Sequence, residues 1–226
     1  MTHVVAVDGP AGAGKTSACR TLAARLGFAH VDTGAMYRAV GVLAVERGVA
    51  LDDDAALAAL LADLWFTLAD DGRLLVDGRD LSETIRRADA GDLASRVSTR
   101  LVVRERLVAL QRALGARGNL VMEGRDIGTV VFPAAPVKFY LTAAPAERAR
   151  RRAGELAARG EHVDEGALAR ELAERDRRDS ERAHSPLRPA PDAVVLDTTA
   201  LPLDAVVDAM EREVRRRGLA ASGARS

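Results

Sequence analysis

The stretch Val4-Val5-Ala6-Val7-Asp8-Gly9-Pro10-Ala11-Gly12-Ala13-Gly14-Lys15-Thr16 decides how the rest of the chain is read. Its apolar start predicts a buried strand. The residues that follow, Thr16 to Leu26, predict a helix with Ala18, Cys19, Leu22, Ala23 and Leu26 at helical spacing and Gly27 as its stop. Between the two, residues 9–16 fit G-x-x-x-x-G-K-[ST], the P-loop pattern. A glycine-rich turn before a helix is the plain alternative, but the strand and helix flanks are the context the pattern requires. Glycines let successive backbone N–H groups turn inward as an anion nest, and the helix that follows points its positive end at the same place. Gly9, Pro10, Ala11, Gly12, Ala13, Gly14, Lys15, Thr16 and Ser17 are therefore expected to hold a nucleotide's phosphates. Lys15 would reach the β- and γ-phosphates, and Thr16 would be the metal ligand.

Outward from this loop the chain alternates short apolar runs with helices. Residues 28–31 predict a second strand, ending in Asp32-Thr33-Gly34, where Thr33 can cap a helix that begins near Ala35 and stops at Gly48. Residues 51–64 predict a helix. Residues 65–68 and 74–76 flank Asp70-Asp71-Gly72, a hairpin signal, and Gly78 closes the second run. Residues 82–100 are polar and helical in pieces, and Leu101 to Leu114 form a clearer helix with Val103, Leu107, Leu110 and Leu114 on one face. Strands are expected again at 120–122, 137–141 and 194–196, and helices at 146–159, 165–182 and 202–217. Five apolar runs alternating with helices predict an α/β fold with a five-stranded parallel sheet. The expected organisation is one domain, with a core over about 3–48 and 101–217 and an inserted subdomain with a small β-hairpin over about 50–100. A disordered tail is expected over 218–226. Ligands of such sheets sit beyond the carboxyl ends of the strands, so the segments after strands are expected to share one cleft.

Composition narrows the function classes. The 226 residues are 48% hydrophobic but only 3% aromatic, so the core must be built mainly of Ala, Leu and Val. Basic and acidic residues balance at 33 each, which leaves no global footprint for nucleic acid. Lys15 and Lys138 are the only lysines, and the remaining bases are arginines. That lean favours forked recognition of phosphate, or it reflects a compositional bias of the source. Cys19 is the single cysteine, so no intrachain disulfide forms, and its place on the first helix marks it as a small core residue. Asp8 and the glycines interrupt the first apolar run too early for a signal peptide. No stretch approaches the ~18 apolar residues of a membrane span, so a cytoplasmic protein without membrane association is expected.

Three further clusters mix arginine with hydrogen-bonding side chains: Asp32-Thr-Gly-Ala-Met-Tyr-Arg38, Glu123-Gly-Arg-Asp-Ile-Gly128 and Arg175-Asp-Arg-Arg-Asp-Ser-Glu-Arg182. Such chemistry suits a charged, hydroxylated small molecule. The third cluster reads equally as a solvated helix face with i,i+4 ion pairs such as Glu171–Arg175.

Together these segments resemble the bacterial cytidylate kinases, a family of nucleoside monophosphate kinases within the P-loop kinases. The resemblance is carried by Asp8 to Lys15, Asp32 to Arg38, Glu123 to Pro133, Arg175 to Pro186 and Asp197-Thr-Thr199. It spans about residues 3–215 and is weaker through 50–100, the expected nucleoside-monophosphate-binding insert. It implies Mg²⁺-dependent transfer of the ATP γ-phosphoryl to CMP or dCMP by a protein expected to act as a monomer. Family positions place Thr33, Tyr37, Arg38, Gly124, Arg125 and Arg182 at the acceptor, with Arg175 and Asp179 at its ribose. Ser95, Arg104 and Asp126 match positions that read cytosine; the plain alternatives are a surface charge for Arg104 and a local cap for Ser95. The resemblance further implies a short helical lid over about 148–170, with Lys15, Arg125 and the lid arginines Arg148, Arg151 and Arg152 as catalytic. Where Glu123 stands, the family often has Asp, and the extra methylene bears on how that carboxylate approaches Mg²⁺ or its waters. Other small-molecule P-loop kinases, acting on UMP, AMP or shikimate, and a nucleotide switch that signals to a protein are the competing readings. The Asp126, Arg104 and Ser95 trio weighs against the first, and the arginine clusters weigh against the second.

Overall fold

The computed structural model describes residues 3–69, 73–161 and 164–219. In chain order the elements are β1 (Val4–Asp8), α1 (Lys15–Leu26), β2 (Ala29–Asp32), α2 (Thr33–Glu46), α3 (Asp54–Asp63), β3 (Phe66–Leu68), β4 (Leu74–Val76), β5 (Arg79–Asp80), α4 (Ala90–Val97) and α5 (Leu101–Gly115). They continue with β6 (Leu120–Gly124), a π-helical turn (Ile127–Val131), β7 (Val137–Thr142), α6 (Pro145–Ala157), α7 (Glu165–Glu181), β8 (Val194–Asp197) and α8 (Leu203–Arg216). The chain divides into two compact units, one taking residues up to His30 and from Gly118 onward, the other Val31–Arg117.

A five-stranded parallel sheet runs in the order β2-β6-β1-β7-β8. β1 lies at its centre, parallel to β6 and β7, and β7 is parallel to β8. A central parallel strand is covered on both faces and so reads as a near-continuous apolar run; every residue of β1 is buried, Val4 to Val7 as apolar core and Asp8 as the charged residue at its end. Register sets Asp8 against Gly124 on one side and Tyr140 on the other. The loops leaving β1 and β6 therefore emerge next to each other. One layer packs Ala18, Cys19, Leu22 and Ala23 of α1 and Val206, Val207, Met210 and Val214 of α8 with Val5, Val7, Val121, Phe139 and Leu141. With so few aromatics, a buried ring such as Phe139 matters; truncating it to Ala costs about 3–5 kcal/mol. Cys19 is fully buried there, as its helix position predicts.

The second unit packs α2 almost all round, with Met36, Ala39, Val40, Val42 and Ala44 fully buried among Leu57, Leu61, Val97, Val103 and Leu107. A Cβ at Gly41 would lie 2.8 Å from Leu93 Cβ, so α2 and α4 approach more closely there than any larger residue allows. β3, β4 and β5 form a three-stranded antiparallel sheet. The pairing of β3 with β4 is the expected one, although its turn, Asp70-Asp71-Gly72, lies outside the described residues. β5 was not expected from its two exposed residues. It pairs with β4 across Asp77-Gly78, both at positive φ (52° and 73°), the backbone of a two-residue hairpin turn.

One local expectation is corrected. α2 starts at Thr33, not near Ala35, and its cap is Asp32, whose Oδ1 accepts the Ala35 N–H at 3.2 Å. Thr33 is the first helical residue and is 3% exposed.

Candidate active site

The glycine-rich loop between β1 and α1 is shaped by close approaches. Gly9 (φ 148°) has no room for a side chain, because a Cβ would lie 2.0 Å from the Leu141 carbonyl oxygen. Gly12 (φ 74°) backs onto Arg148, and Gly14 (φ 83°) caps α1 in the left-handed region without a side-chain hydrogen bond. The first turn of α1 carries no acidic residue, so its amide dipoles are left for an anion. Pro10 and Ala13 are buried, whereas Thr16 and Ser17 are exposed at the loop's exit.

Lys15 is only 7% exposed, and its Nζ donates to the Pro10 carbonyl at 2.7 Å. Burial lowers its pKa to about 7, with Arg125 and Arg175 pushing the same way and Glu123 opposing. Thr16 Oγ1 donates to Glu123 Oε2 at 3.0 Å, and Glu123 Oε1 lies 2.9 Å from His30 Nε2. Asp8 ties the adjacent loops together by accepting the Ile127 and Gly128 N–H groups at 2.7 and 2.8 Å. Burial raises its pKa to about 6; the two amides pull it down, Asp126 pushes it up and Lys15 lowers it.

The arginine-rich cluster of α7 is not a purely solvated face. Arg177 pairs with Glu174 and Glu181 in the open, but Leu168, Leu172, Asp179 and Arg182 are buried along one side. Arg125 Nε donates to Asp179 Oδ2 at 3.0 Å and its Nη1 to the Gly124 carbonyl at 3.3 Å. Burial pushes the Asp179 carboxyl up, yet Arg125, Arg175 and Arg182 together hold it below the usual carboxylate range. Arg182 Nε donates to the Ser185 carbonyl at 2.6 Å, and its Nη2 lies 3.8 Å from Asp126 Oδ1. Arg125, Asp126, Arg175, Asp179 and Arg182 thus belong to one ionic neighbourhood, with Lys15 inside its field.

The arginines of α6 differ from one another. Arg148 is 6% exposed and donates to the Ala143 and Ala11 carbonyls, each at 3.1 Å, and to Asp176 Oδ2 at 2.5 Å. Arg151 donates to Glu147 and, through Nη1 and Nη2, to the Thr198 hydroxyl and carbonyl at 3.0 and 2.6 Å. Thr198 Oγ1 in turn lies 3.1 Å from the carbonyls of both Ala13 and Thr142. Arg152 pairs with Glu155 at 2.9 Å, and Arg150 is the exposed one, paired with Glu147. Sequence reasoning missed Asp8, His30, Asp176 and Thr198 as supports of the loop.

In the second unit Arg38 Nη2 meets Asp32 Oδ2 at 2.7 Å, and Tyr37 packs against the apolar core. Arg104 is 3% exposed, so it is not a surface charge. Ser95 is also 3% exposed and lies inside α4, not at its end, so it is not a cap. Its Oγ is buried without a hydrogen-bond partner among the described residues. Among the described residues no three His, Cys, Asp or Glu side chains gather as a metal site, and no helix is long and apolar enough to cross a membrane.

A glycine loop between the central strand of a parallel sheet and a helix, with a buried lysine at the helix start, defines a P-loop kinase-like α/β enzyme. The chain belongs to the cytidylate kinase family, whose model matches residues 5–216. It is 51% identical to the cytidylate kinase of Geobacter sp. (strain M21) over 217 residues, covering 95% of this chain and 93% of that protein. It is 50% identical to the cytidylate kinase of Pelotomaculum thermopropionicum, over 90% of this chain and 92% of the relative. With that of Pseudomonas aeruginosa (strain UCBPP-PA14) it shares 45% over 95% and 96%. The fold is also that of the solved structure of TT1252 from Thermus thermophilus, at TM-score 0.50 and 17% identity over 97% of this chain and 99% of that one.

Proposed function

We propose that this chain transfers the γ-phosphoryl of ATP to CMP or dCMP, giving ADP and CDP or dCDP, with Mg²⁺ as the metal. The observation that carries the reading is the concentration of positive charge around Lys15, whose amine is buried in the field of Arg125 and Arg175. A ligand bearing several phosphate charges would neutralise it. The acceptor's attacking oxygen is already anionic near neutral pH, so no general base is needed. The work is to hold two anions together and to stabilise charge on the transferring group, which positioning and cationic clamps do.

In this reading Gly9 to Ser17 bind the donor phosphates, and Lys15 leaves Pro10 for them. Thr33, Tyr37, Arg38, Gly124, Arg125 and Arg182 serve the acceptor phosphate, and Arg175 and Asp179 its ribose. Asp126 accepts from the cytosine N4 amine, while Arg104 and the buried hydroxyl of Ser95 donate to N3 and O2; uracil presents the opposite pattern at N3 and O4. Sites of this kind discriminate by up to ~10⁴-fold. Arg148, with its bonds to the loop and to α7, braces the donor site, and Arg151 and Arg152 complete the lid. The residues present fit Mg²⁺: the Thr16 hydroxyl is a hard oxygen whose proton goes to Glu123, and Mg²⁺ usually takes one or two protein ligands beside phosphates and water. When bound, Mg²⁺ neutralises charge on the β- and γ-phosphate oxygens.

The test is ADP release from ATP·Mg²⁺ with CMP, dCMP, UMP, AMP or shikimate offered separately. Fast turnover with CMP and dCMP alone is expected. Turnover mainly with another acceptor overturns the cytosine assignment, and slow hydrolysis indifferent to all of them overturns the kinase reading.

A further inference from the structure

We propose that His30 is a positioning residue for the metal–phosphate centre, acting through Glu123 on Thr16. The inference rests on the Mg²⁺-dependent donor binding proposed above. His30 stands on β2, which pairs with the strand bearing Glu123, and its side chain is 17% exposed. Glu123 is 3% exposed and sits beside Val7, at the strand end where the glycine loop begins. Its two oxygens have separate duties: Oε1 faces His30 Nε2 at 2.9 Å, and Oε2 takes the Thr16 hydroxyl proton at 3.0 Å. A carboxylate only accepts, so Nε2 carries the proton in this contact.

The chemistry follows from the length of glutamate. Compared with aspartate it has one more rotatable bond, and a buried carboxylate that can swing does not present a fixed acceptor. The His30 N–H holds one oxygen and so orients the other. With its proton committed to Oε2, Thr16 Oγ1 has its lone pairs free to face a cation. Outer partners of this kind orient the metal ligand without touching the metal, and their loss typically lowers metal affinity 10–100-fold.

The experiment measures ADP affinity with and without Mg²⁺ by calorimetry, on the full chain. In the wild type Mg²⁺ should tighten ADP. In His30→Ala the metal-free affinity should stay within about twofold, while the tightening by Mg²⁺ falls about tenfold. His30→Gln, whose amide can place an N–H near the position of Nε2, should recover most of it. Mn²⁺ affinity of the ADP complex, read by electron paramagnetic resonance, should move in step. If His30→Ala does not fold, His30→Leu replaces it in the comparison with Gln. Undiminished tightening in the Ala or Leu variant overturns the inference alone. So does a Gln variant no better than Ala, or an equal loss of affinity without metal. A wild type whose ADP affinity ignores Mg²⁺ overturns the Mg²⁺ reading and this inference with it.

Discussion

Nucleotide binding at pH 8 should take up close to one proton, and Lys15 should be the group that takes it. In the free protein its amine is buried and its pKa is lowered to about 7, by burial first and then by Arg125 and Arg175. At pH 8 about one Lys15 in ten is then charged. Phosphate oxygens against the amine restore a charged lysine, so binding should take up about 0.9 proton. A second ionisation near pH 6 leaves the nucleotide itself fully ionised at pH 8. Linkage turns this into affinity: between pH 8 and 9 the dissociation constant should rise about tenfold, and well below pH 7 the dependence on Lys15 should vanish. Calorimetry of ADP·Mg²⁺ binding at pH 8, in two buffers of different ionisation enthalpy, reads the proton count directly. Lys15→Met should abolish the uptake and stay folded, because the hydrogen bond the Nζ makes is to a loop carbonyl and not to the core. The sign for stability is also fixed. The folded pKa lies below the ordinary 10.5, so without nucleotide the buried amine costs stability in full below pH 7 and progressively less as pH rises toward 10.5. A buffer-independent heat in the wild type, or undiminished uptake in Lys15→Met, would refute the reasoning.

Two further expectations concern the base and the loop. Asp126→Asn should lower CMP turnover by at least 10²-fold while leaving ADP affinity nearly unchanged, as steady-state kinetics and calorimetry would show; equal loss of both would make Asp126 a structural residue only. Gly9→Ala should cost at least about 2 kcal/mol in urea unfolding, because its Cβ would meet the Leu141 carbonyl at 2.0 Å in a left-handed backbone; an unchanged midpoint would contradict that close approach.

The sheet was legible because its central strands β1 and β6 open as apolar runs, Val4 to Val7 and Leu120 to Met122, each ended by a charged residue and a glycine. β5 was not, since Arg79 and Asp80 carry no apolar alternation; its signal was the Asp77-Gly78 turn that precedes it. At the start of α2 two good cap formers stand side by side, and only the 3.2 Å bond to Ala35 N selects Asp32 over Thr33. The donor loop reads from its own spacing. The supports of that loop do not, because they act across long sequence separations: His30 meets Glu123 93 residues away, and Asp8 meets Gly128 120 residues away. Within the arginine run of α6, helical spacing alone could not tell Arg148 from Arg150. The first is buried because Asp176 and the Ala11 carbonyl await it, and the second is exposed and pairs with the half-buried Glu147.

The most direct test of the account is a competition in one tube: ATP·Mg²⁺ with equal CMP and UMP, the diphosphate products separated and counted at early times. CDP should exceed UDP by at least 10²-fold, because uracil would face Asp126, Arg104 and Ser95 with the wrong donors and acceptors. Equal amounts of CDP and UDP would contradict the assignment of those three residues to cytosine, and neither product would contradict phosphoryl transfer itself.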